Sequence, residues 1–167
     1  MYDELTEVDI KKMEAEILYR RNELGPKLLK EMSRTREFGD LSENAEYKEA
    51  KREKRRNEAR IRYLENMIRT ARVIRVREVA DRVGLFDWVV VYNEQLGAEK
   101  RIQLVTTLRQ DALRGFVSKE SPLGVALMGR RVGERVRVQV NEERFYYVKI
   151  LSLEKGTDNE ELPISGF

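Results

Sequence analysis

The sequence predicts an α+β protein in which an N-terminal antiparallel helical hairpin, a coiled coil, precedes an antiparallel sheet with one short helix. Residues 1–75 contain only three Gly or Pro residues, and their apolar residues recur at helical spacings. Residues 76–155 are rich in valine and alternate between apolar and polar residues, which is typical of strands. We therefore predict domains at 1–75 and 76–155, followed by an acidic, loose tail at 156–167.

The first helix is predicted to begin at Thr6, because Asp9 follows three positions later in the pattern of a capping box. Gly25 and Pro26 interrupt the helical sequence. We expect a kink there rather than an end, because one apolar stripe continues on both sides, formed by Ile10, Met13, Ile17, Leu24, Leu28 and Met32.

The second helix is predicted to follow at once, over residues 41–73, with Gly39 as the C′ residue of the first helix. A heptad seam supports it, with residues seven apart at Ala50, Asn57, Leu64 and Ala71. Each arm is about 50 Å long at 1.5 Å per residue. The sequence thus places a tip, residues 39–43, far from the second domain, as suits a rod that reaches into a narrow opening.

In the second half, strands are predicted over residues 86–92, 98–105, 136–140 and 146–150. A short helix is predicted between them, because Ser121 is a favourable N-cap, Pro122 suits the first helical position and Gly129 suits C′.

Composition excludes several classes of chemistry. The chain has no cysteine and no histidine, so it lacks thiol chemistry, the usual general base and the commonest transition-metal ligand. The net charge is only +3, so any preference for a polyanion depends on where the charges lie. No apolar run approaches the roughly 18 residues of a membrane span, and no signal peptide is recognisable. We expect a cytoplasmic protein with no membrane partner.

Two carboxylates, Asp40 and Glu43, lie three residues apart at the tip. One interpretation is structural: Asp40 as N-cap and Glu43 at N3 would form a capping box. The other is that the two exposed carboxylates share a Mg²⁺ ion, which prefers oxygen ligands. Two carboxylates are too few for a tight site, so a partner would have to complete it.

A basic run lies beside this acidic tip, at Lys48, Lys51, Arg52, Lys54, Arg55 and Arg56, followed by Arg60 and Arg62. Such a run is often only a solvated helix face, but it could also follow a phosphate backbone. A third feature, Glu120-Ser121-Pro122 with the short helix after it, is either a capped helix packed on the sheet or an edge that docks a partner protein.

The tip segment from Arg36 to Tyr47, REFGDLSENAEY, closely resembles the tip signature of the bacterial Gre transcript-cleavage factors. Residues 58–65, 71–74, 121–129 and 132–134 resemble further parts of that family, over about residues 5–153 in all. The resemblance implies an FKBP-like second domain. It also implies a monomeric accessory factor of RNA polymerase, not itself an enzyme and without a small-molecule substrate.

In such a factor the hairpin would enter the secondary channel of a backtracked polymerase and stimulate cleavage of the RNA. Asp40 and Glu43 would help to hold a Mg²⁺ ion that the polymerase also ligates, so the isolated chain would bind none. Ser42 and Asn44 would position water or RNA. The RNA 3′ segment would contact Arg36, Lys51, Arg52 and Arg55. The docking segment would be Glu120, Ser121 and Pro122.

The subtype stays open, because the basic shaft resembles the GreB type whereas the tip resembles the GreA type. Residues 107–116 match the family only loosely, and the tail beyond Gly156 has no counterpart. Two other functions are considered. One is a non-catalytic channel binder, although related proteins of that kind lose or rearrange the tip acids. The other is a prolyl isomerase, although a fold alone does not bring its activity with it.

Overall fold

The computed structural model describes residues 3–37, 39 and 44–166. Within them the chain forms two compact units. One, the helical unit, comprises residues 10–71, and the other, the sheet unit, combines residues 3–9 with residues 72–166. No helix of the described part is long and apolar enough to span a membrane.

The first arm of the hairpin consists of α1 (Glu7–Tyr19), a π-helical turn (Arg20–Leu24) and α2 (Gly25–Arg36). Helical conformation thus continues through Gly25 and Pro26, as predicted, and the interruption takes the form of the π turn. The Arg20 carbonyl accepts from the Gly25 amide within this turn, and the side-chain amide of Asn57 donates to the same oxygen at 3.2 Å. A Cβ on Gly25 would lie 2.9 Å from the same carbonyl oxygen, which explains why glycine precedes the proline.

The second arm is α3 (Ala45–Thr70), and it packs along α2. The predicted heptad positions Ala50, Asn57 and Leu64 are buried. Arg60 is also buried, at 3% exposure, so its inclusion in an exposed basic run is wrong. Its guanidinium lies 2.8 Å from a Glu16 carboxylate oxygen, since a charge inside the hairpin needs a partner. Burial alone would raise the pKa of Glu16, but hydrogen bonds from Arg60 and Arg20 outweigh it and lower that pKa.

The main sheet of the sheet unit contains five strands, β3 (Trp88–Asn93), β4 (Ala98–Val105), β5 (Phe116–Ser118), β6 (Arg135–Gln139) and β7 (Phe145–Glu154). Their order across the sheet is β5-β4-β3-β7-β6. Four of these strands were predicted. The bounds of β4 agree with the prediction, whereas the ends of β3, β6 and β7 are shifted, and β5 was not predicted. Because β5 runs parallel to β4, the sheet is mostly antiparallel rather than wholly so. A separate parallel pair joins β1 (Glu4–Leu5) to β2 (Arg72–Val73).

One face of the sheet carries the main core, and Leu127 of the short helix α4 (Pro122–Leu127) belongs to it. The sheet residues of this core include Val89, Ile102, Leu104, Val138 and Ile150. A second cluster contains Phe86, Phe116 and Leu162. Leu162 is 5% exposed, and the Ser165 amide donates to the Leu108 carbonyl, so the expectation of a loose tail is wrong.

A buried ion cluster joins three distant parts of the sheet unit. Arg109 and Asp9 are both fully buried, with Nε 2.7 Å from the carboxylate. Asp158 of the tail forms a second ion pair with the Arg109 guanidinium. Thr6 and Asp9 also exchange the two predicted capping bonds, from the Thr6 amide to the carboxylate at 3.0 Å and from the Asp9 amide to the hydroxyl at 3.3 Å. The capping box therefore also brings a carboxylate to Arg109.

Candidate functional site

The tip of the hairpin is bounded by the ends of α2 and α3. Helix α2 ends at Arg36 with Glu37 as C-cap, so Gly39 lies one position beyond C′ and not at C′ as predicted, although its φ of +96° is one that glycine favours. Helix α3 begins at Ala45 with Asn44 as N-cap, four residues later than predicted. Asn44 and not Asp40 is therefore the N-cap of α3, and a capping box between Asp40 and Glu43 falls outside the described part of the chain. Asp40, Ser42 and Glu43 themselves lie outside the described residues.

Asn44 connects the two arms at the base of the tip. Its side-chain oxygen accepts from the Tyr47 amide at 3.0 Å, which caps α3. Its side-chain nitrogen donates to the Thr35 carbonyl at 2.6 Å, near the end of α2. Thr35 is fully buried and its hydroxyl donates to the Met32 carbonyl. Both polar atoms of the Asn44 side chain thus join the start of α3 to the end of α2.

The predicted RNA-contacting side chains, Arg36, Lys51, Arg52 and Arg55, are all exposed. Arg52 forms an ion pair with Glu49 at 3.1 Å. The described residues provide no ion pair for Arg36, Lys51 or Arg55, which leaves their charges available to a polyanion. Lys48 and Arg62 are exposed in the same way. The outer surface of the hairpin near the tip is therefore cationic, whereas the segment it leads to carries the carboxylates Asp40 and Glu43.

The predicted docking segment has the predicted capping geometry. The Ser121 hydroxyl accepts from the Gly124 amide at 3.1 Å and donates to the Ser118 carbonyl at 2.7 Å. Pro122 begins α4, and Gly129, with φ +75°, follows its C-cap. Glu120 and Pro122 are exposed beside this turn. A Cβ on Gly124 would lie 2.1 Å from the Ser118 carbonyl oxygen, so only glycine permits the helix to begin so close to β5.

Among the residues that the structure describes, no group of three or more carboxylates could hold a metal ion. The predicted Mg²⁺ ligands, Asp40 and Glu43, lie outside the described residues.

Known proteins match both units. Residues 4–73 match the N-terminal domain described as "Transcription elongation factor, N-terminal", of GreA/GreB type. Residues 78–155 match "Transcription elongation factor, GreA/GreB, C-term".

The chain belongs to the GreA/GreB family of transcription elongation factors.

Relatives in the GreA/GreB family include transcription elongation factor GreA of Thermosipho africanus, which is 38% identical over 143 residues and covers 86% of this chain and 91% of the relative. Another is GreA of Thermoanaerobacter pseudethanolicus, which is 37% identical over 152 residues and covers 90% of this chain and 96% of the relative. The crystal structure of GreA factor homolog 1 (Gfh1) of Thermus thermophilus is similar with a TM-score of 0.41 at 24% identity, covering 93% of this chain and 100% of that one.

Two groups that the sequence interpretation missed shape this GreA/GreB-type molecule. One is the Glu16–Arg60 pair inside the hairpin, and the other is the Arg109 cluster. Arg109 lies in the segment that resembles the family only loosely, so nothing in the sequence pattern distinguished it from a surface arginine.

Proposed function

We propose that this chain binds RNA polymerase, enters its secondary channel with the hairpin tip, and stimulates cleavage of backtracked RNA by the polymerase. The observation that carries the proposal is a tip with two carboxylates at the end of a stiffened hairpin in a member of the GreA/GreB family. Without cysteine or histidine, the chain lacks a thiol nucleophile and the commonest general base, which favours an accessory role over an enzymatic one.

The carboxylates of Asp40 and Glu43 are the ligands that would hold Mg²⁺ together with acidic groups of the polymerase. A second metal ion supplies charge stabilisation for an in-line displacement at the RNA phosphodiester. The contribution of this chain is to present oxygen ligands at a fixed place. Ser42 and Asn44 flank them, and the two hydrogen bonds of Asn44 keep the base of the tip from opening.

The rest of the hairpin supports this role through charge. Arg36, Lys51, Arg52 and Arg55 are exposed cations on the arms that lead to the tip. Each would attract the phosphate backbone of an extruded RNA 3′ segment, with an affinity that falls as salt rises. Glu120, Ser121 and Pro122 form the capped turn that would dock on the polymerase.

Asp40→Asn tests the proposal, because asparagine removes the charge and keeps the shape. We expect stimulated cleavage of RNA in stalled polymerase complexes to fall by about 10²-fold or more, as when a group that stabilises transition-state charge is removed. Binding to polymerase should not change. Glu14→Gln is the matched control, since Glu14 is an exposed carboxylate on α1 that forms no ion pair with the described residues.

Full cleavage activity in the Asp40→Asn variant would overturn the proposal. So would inhibition of RNA synthesis by the wild-type chain with no added cleavage at any Mg²⁺ concentration, which would instead indicate a non-catalytic channel binder.

A further inference from the structure

The outer face of the sheet unit carries an arrangement that neither the hairpin nor the docking segment uses. Strands β6 and β7 alternate between the two faces of the sheet. Val136, Val138 and Val148 belong to the core on the inner face. The residues between them point outward, away from that core. On this outer side Arg135 and Arg137 of β6 lie beside Phe145 and Tyr147 of β7, a group we name the arginine–aromatic face.

Each arginine of this face lies over an aromatic ring of the neighbouring strand. The Arg135 guanidinium carbon is 3.7 Å from the Tyr147 ring centroid, and that of Arg137 is 3.9 Å from the Phe145 ring centroid. These are stacking distances. The Arg135 side chain is 55% exposed and Arg137 is also exposed, so the guanidinium groups remain open to solvent. The rings hold two planar cations in place.

Charge on this face favours an anionic ligand. Arg135 forms a bidentate ion pair with Glu94 at 2.7 and 2.9 Å, which neutralises one cation. Arg137 and Lys149 have no ion pair with any residue that the structure describes, and both are exposed. Lys149 lies directly across from Arg135. The face thus carries two cations without an ion pair, of which Arg137 is one of the stacked guanidinium groups and Lys149 lies beside them.

The spacing of the two stacked pairs distinguishes between anionic ligands. Arg135 and Arg137 are two residues apart on one strand, which separates their Cα atoms by about 7 Å. That is roughly twice the 3.4 Å rise between successive bases in one strand of a duplex. The Phe145 and Tyr147 rings are also inclined at 86° to one another. Two bases that stack on these groups could not remain parallel and in contact with each other.

We propose that the arginine–aromatic face binds single-stranded nucleic acid, with unstacked bases placed on the Arg135 and Arg137 planes and phosphates near Lys149. Guanidinium planes and aromatic rings are both known supports for splayed bases. An acidic protein would also be attracted by the cations, but it would not require guanidinium groups placed over aromatic rings. The stacking geometry therefore favours a nucleic-acid strand over an acidic protein.

Substitution by lysine separates stacking from charge. Arg135→Lys and Arg137→Lys keep both charges and remove the planar groups, which is not a conservative change at a stacked position. We expect the doubly substituted chain to bind a short fluorescein-labelled RNA strand roughly tenfold more weakly, as measured by fluorescence anisotropy at low salt. Arg77→Lys is the matched control, because Arg77 is exposed in the same unit but lies outside the strands.

The cationic hairpin is a second source of RNA affinity, so the comparison is made in a background that carries Lys51→Gln, Arg52→Gln and Arg55→Gln. In that full-length chain the remaining single-strand binding should depend mainly on the arginine–aromatic face. A duplex of the same sequence should bind more weakly than the single strand. Because the substituted arginines are exposed, thermal unfolding should be unchanged, which confirms that the variants are folded.

Photocrosslinking locates the strand without any substitution. A 4-thiouridine RNA should crosslink to peptides from β6 and β7 of the unsubstituted chain. Retention of single-strand affinity in the double lysine variant would overturn the proposal and leave a surface that recognises charge alone, as an acidic protein partner would require. Equal affinity for duplex and single strand, or crosslinks confined to the hairpin, would also overturn it. None of these outcomes alters the cleavage test of Asp40→Asn.

Discussion

Removal of the buried Arg109 guanidinium should destabilise the sheet unit strongly. Methionine approximates the length of the arginine side chain but leaves Asp9 without its ion-pair partner at 2.7 Å and Asp158 without its contact. The side chains of Arg109 and Asp9 are fully buried, and that of Asp158 is 17% exposed, so solvent replaces little of the loss. Breaking a buried ion pair by removal of one partner costs about 3–5 kcal/mol. We expect Arg109→Met to lose about that much stability.

The assay uses the single tryptophan of the chain, Trp88, whose ring packs 5.9 Å from Phe116 in the sheet unit. Its fluorescence during urea or thermal unfolding reports that unit, whereas far-UV circular dichroism weights the helices. For a chain of this size the loss corresponds to a fall in midpoint of roughly 6–20 °C. Arg131→Met is the control, since Arg131 and Asp81 form an exposed pair at 3.2 Å and such pairs contribute about 0–1 kcal/mol.

A loss of less than about 1 kcal/mol of unfolding free energy in Arg109→Met would refute the reasoning, because a buried carboxylate without its ion-pair partner destabilises a protein by more than that. The triple variant with Asp9→Asn and Asp158→Asn provides a second test. It also removes the two carboxylate charges that Arg109→Met leaves without a partner, so it should recover part of the stability that Arg109→Met loses. If the triple variant is instead the least stable, hydrogen bonding and packing at this position outweigh the buried charge.

Three further predictions concern the hairpin and the docking segment. Glu16→Gln should cost about 1–3 kcal/mol of stability at neutral pH. Hydrogen bonds from Arg60 and Arg20 outweigh burial and lower the pKa of Glu16, so its stabilising contribution is present above pH 4.5 and is lost as pH falls through the lowered pKa. Urea titrations should therefore show a flatter dependence of stability on pH in that acid range for the variant than for the wild-type chain. Asn44→Ala should cost about 1 kcal/mol in helix capping and speed hydrogen exchange near the start of α3, whereas unchanged exchange there would contradict the capping role. Gly124→Ala should cost about 1–3 kcal/mol and weaken polymerase binding, because the new Cβ would lie 2.1 Å from the Ser118 carbonyl oxygen; wild-type binding and stability would refute this.

Local patterns in the sequence predicted the elements that depend on neighbouring residues. The capping box at Thr6 and Asp9, the heptad seam through Ala50 and Leu64, and the cap at Ser121 are all present. Each involves partners three to seven residues apart, so the interaction is visible in the order of residues. The start of α3 was misplaced because Asp40 and Asn44 are both good N-caps, and only the contact of Asn44 with Thr35 on the other arm favours the later one.

The sequence by itself determined the helical hairpin, the valine-rich sheet and the family signature at the tip, because periodicity and short motifs are local properties. Only the tertiary structure decided which arginines are buried and which stack on rings. Arg60, Arg109 and Arg137 are chemically identical along the chain, yet they form a hairpin ion pair, a buried cluster and an exposed stacked platform. The free energy of a charge depends on the solvent and partners around it, and those are set by residues distant in sequence.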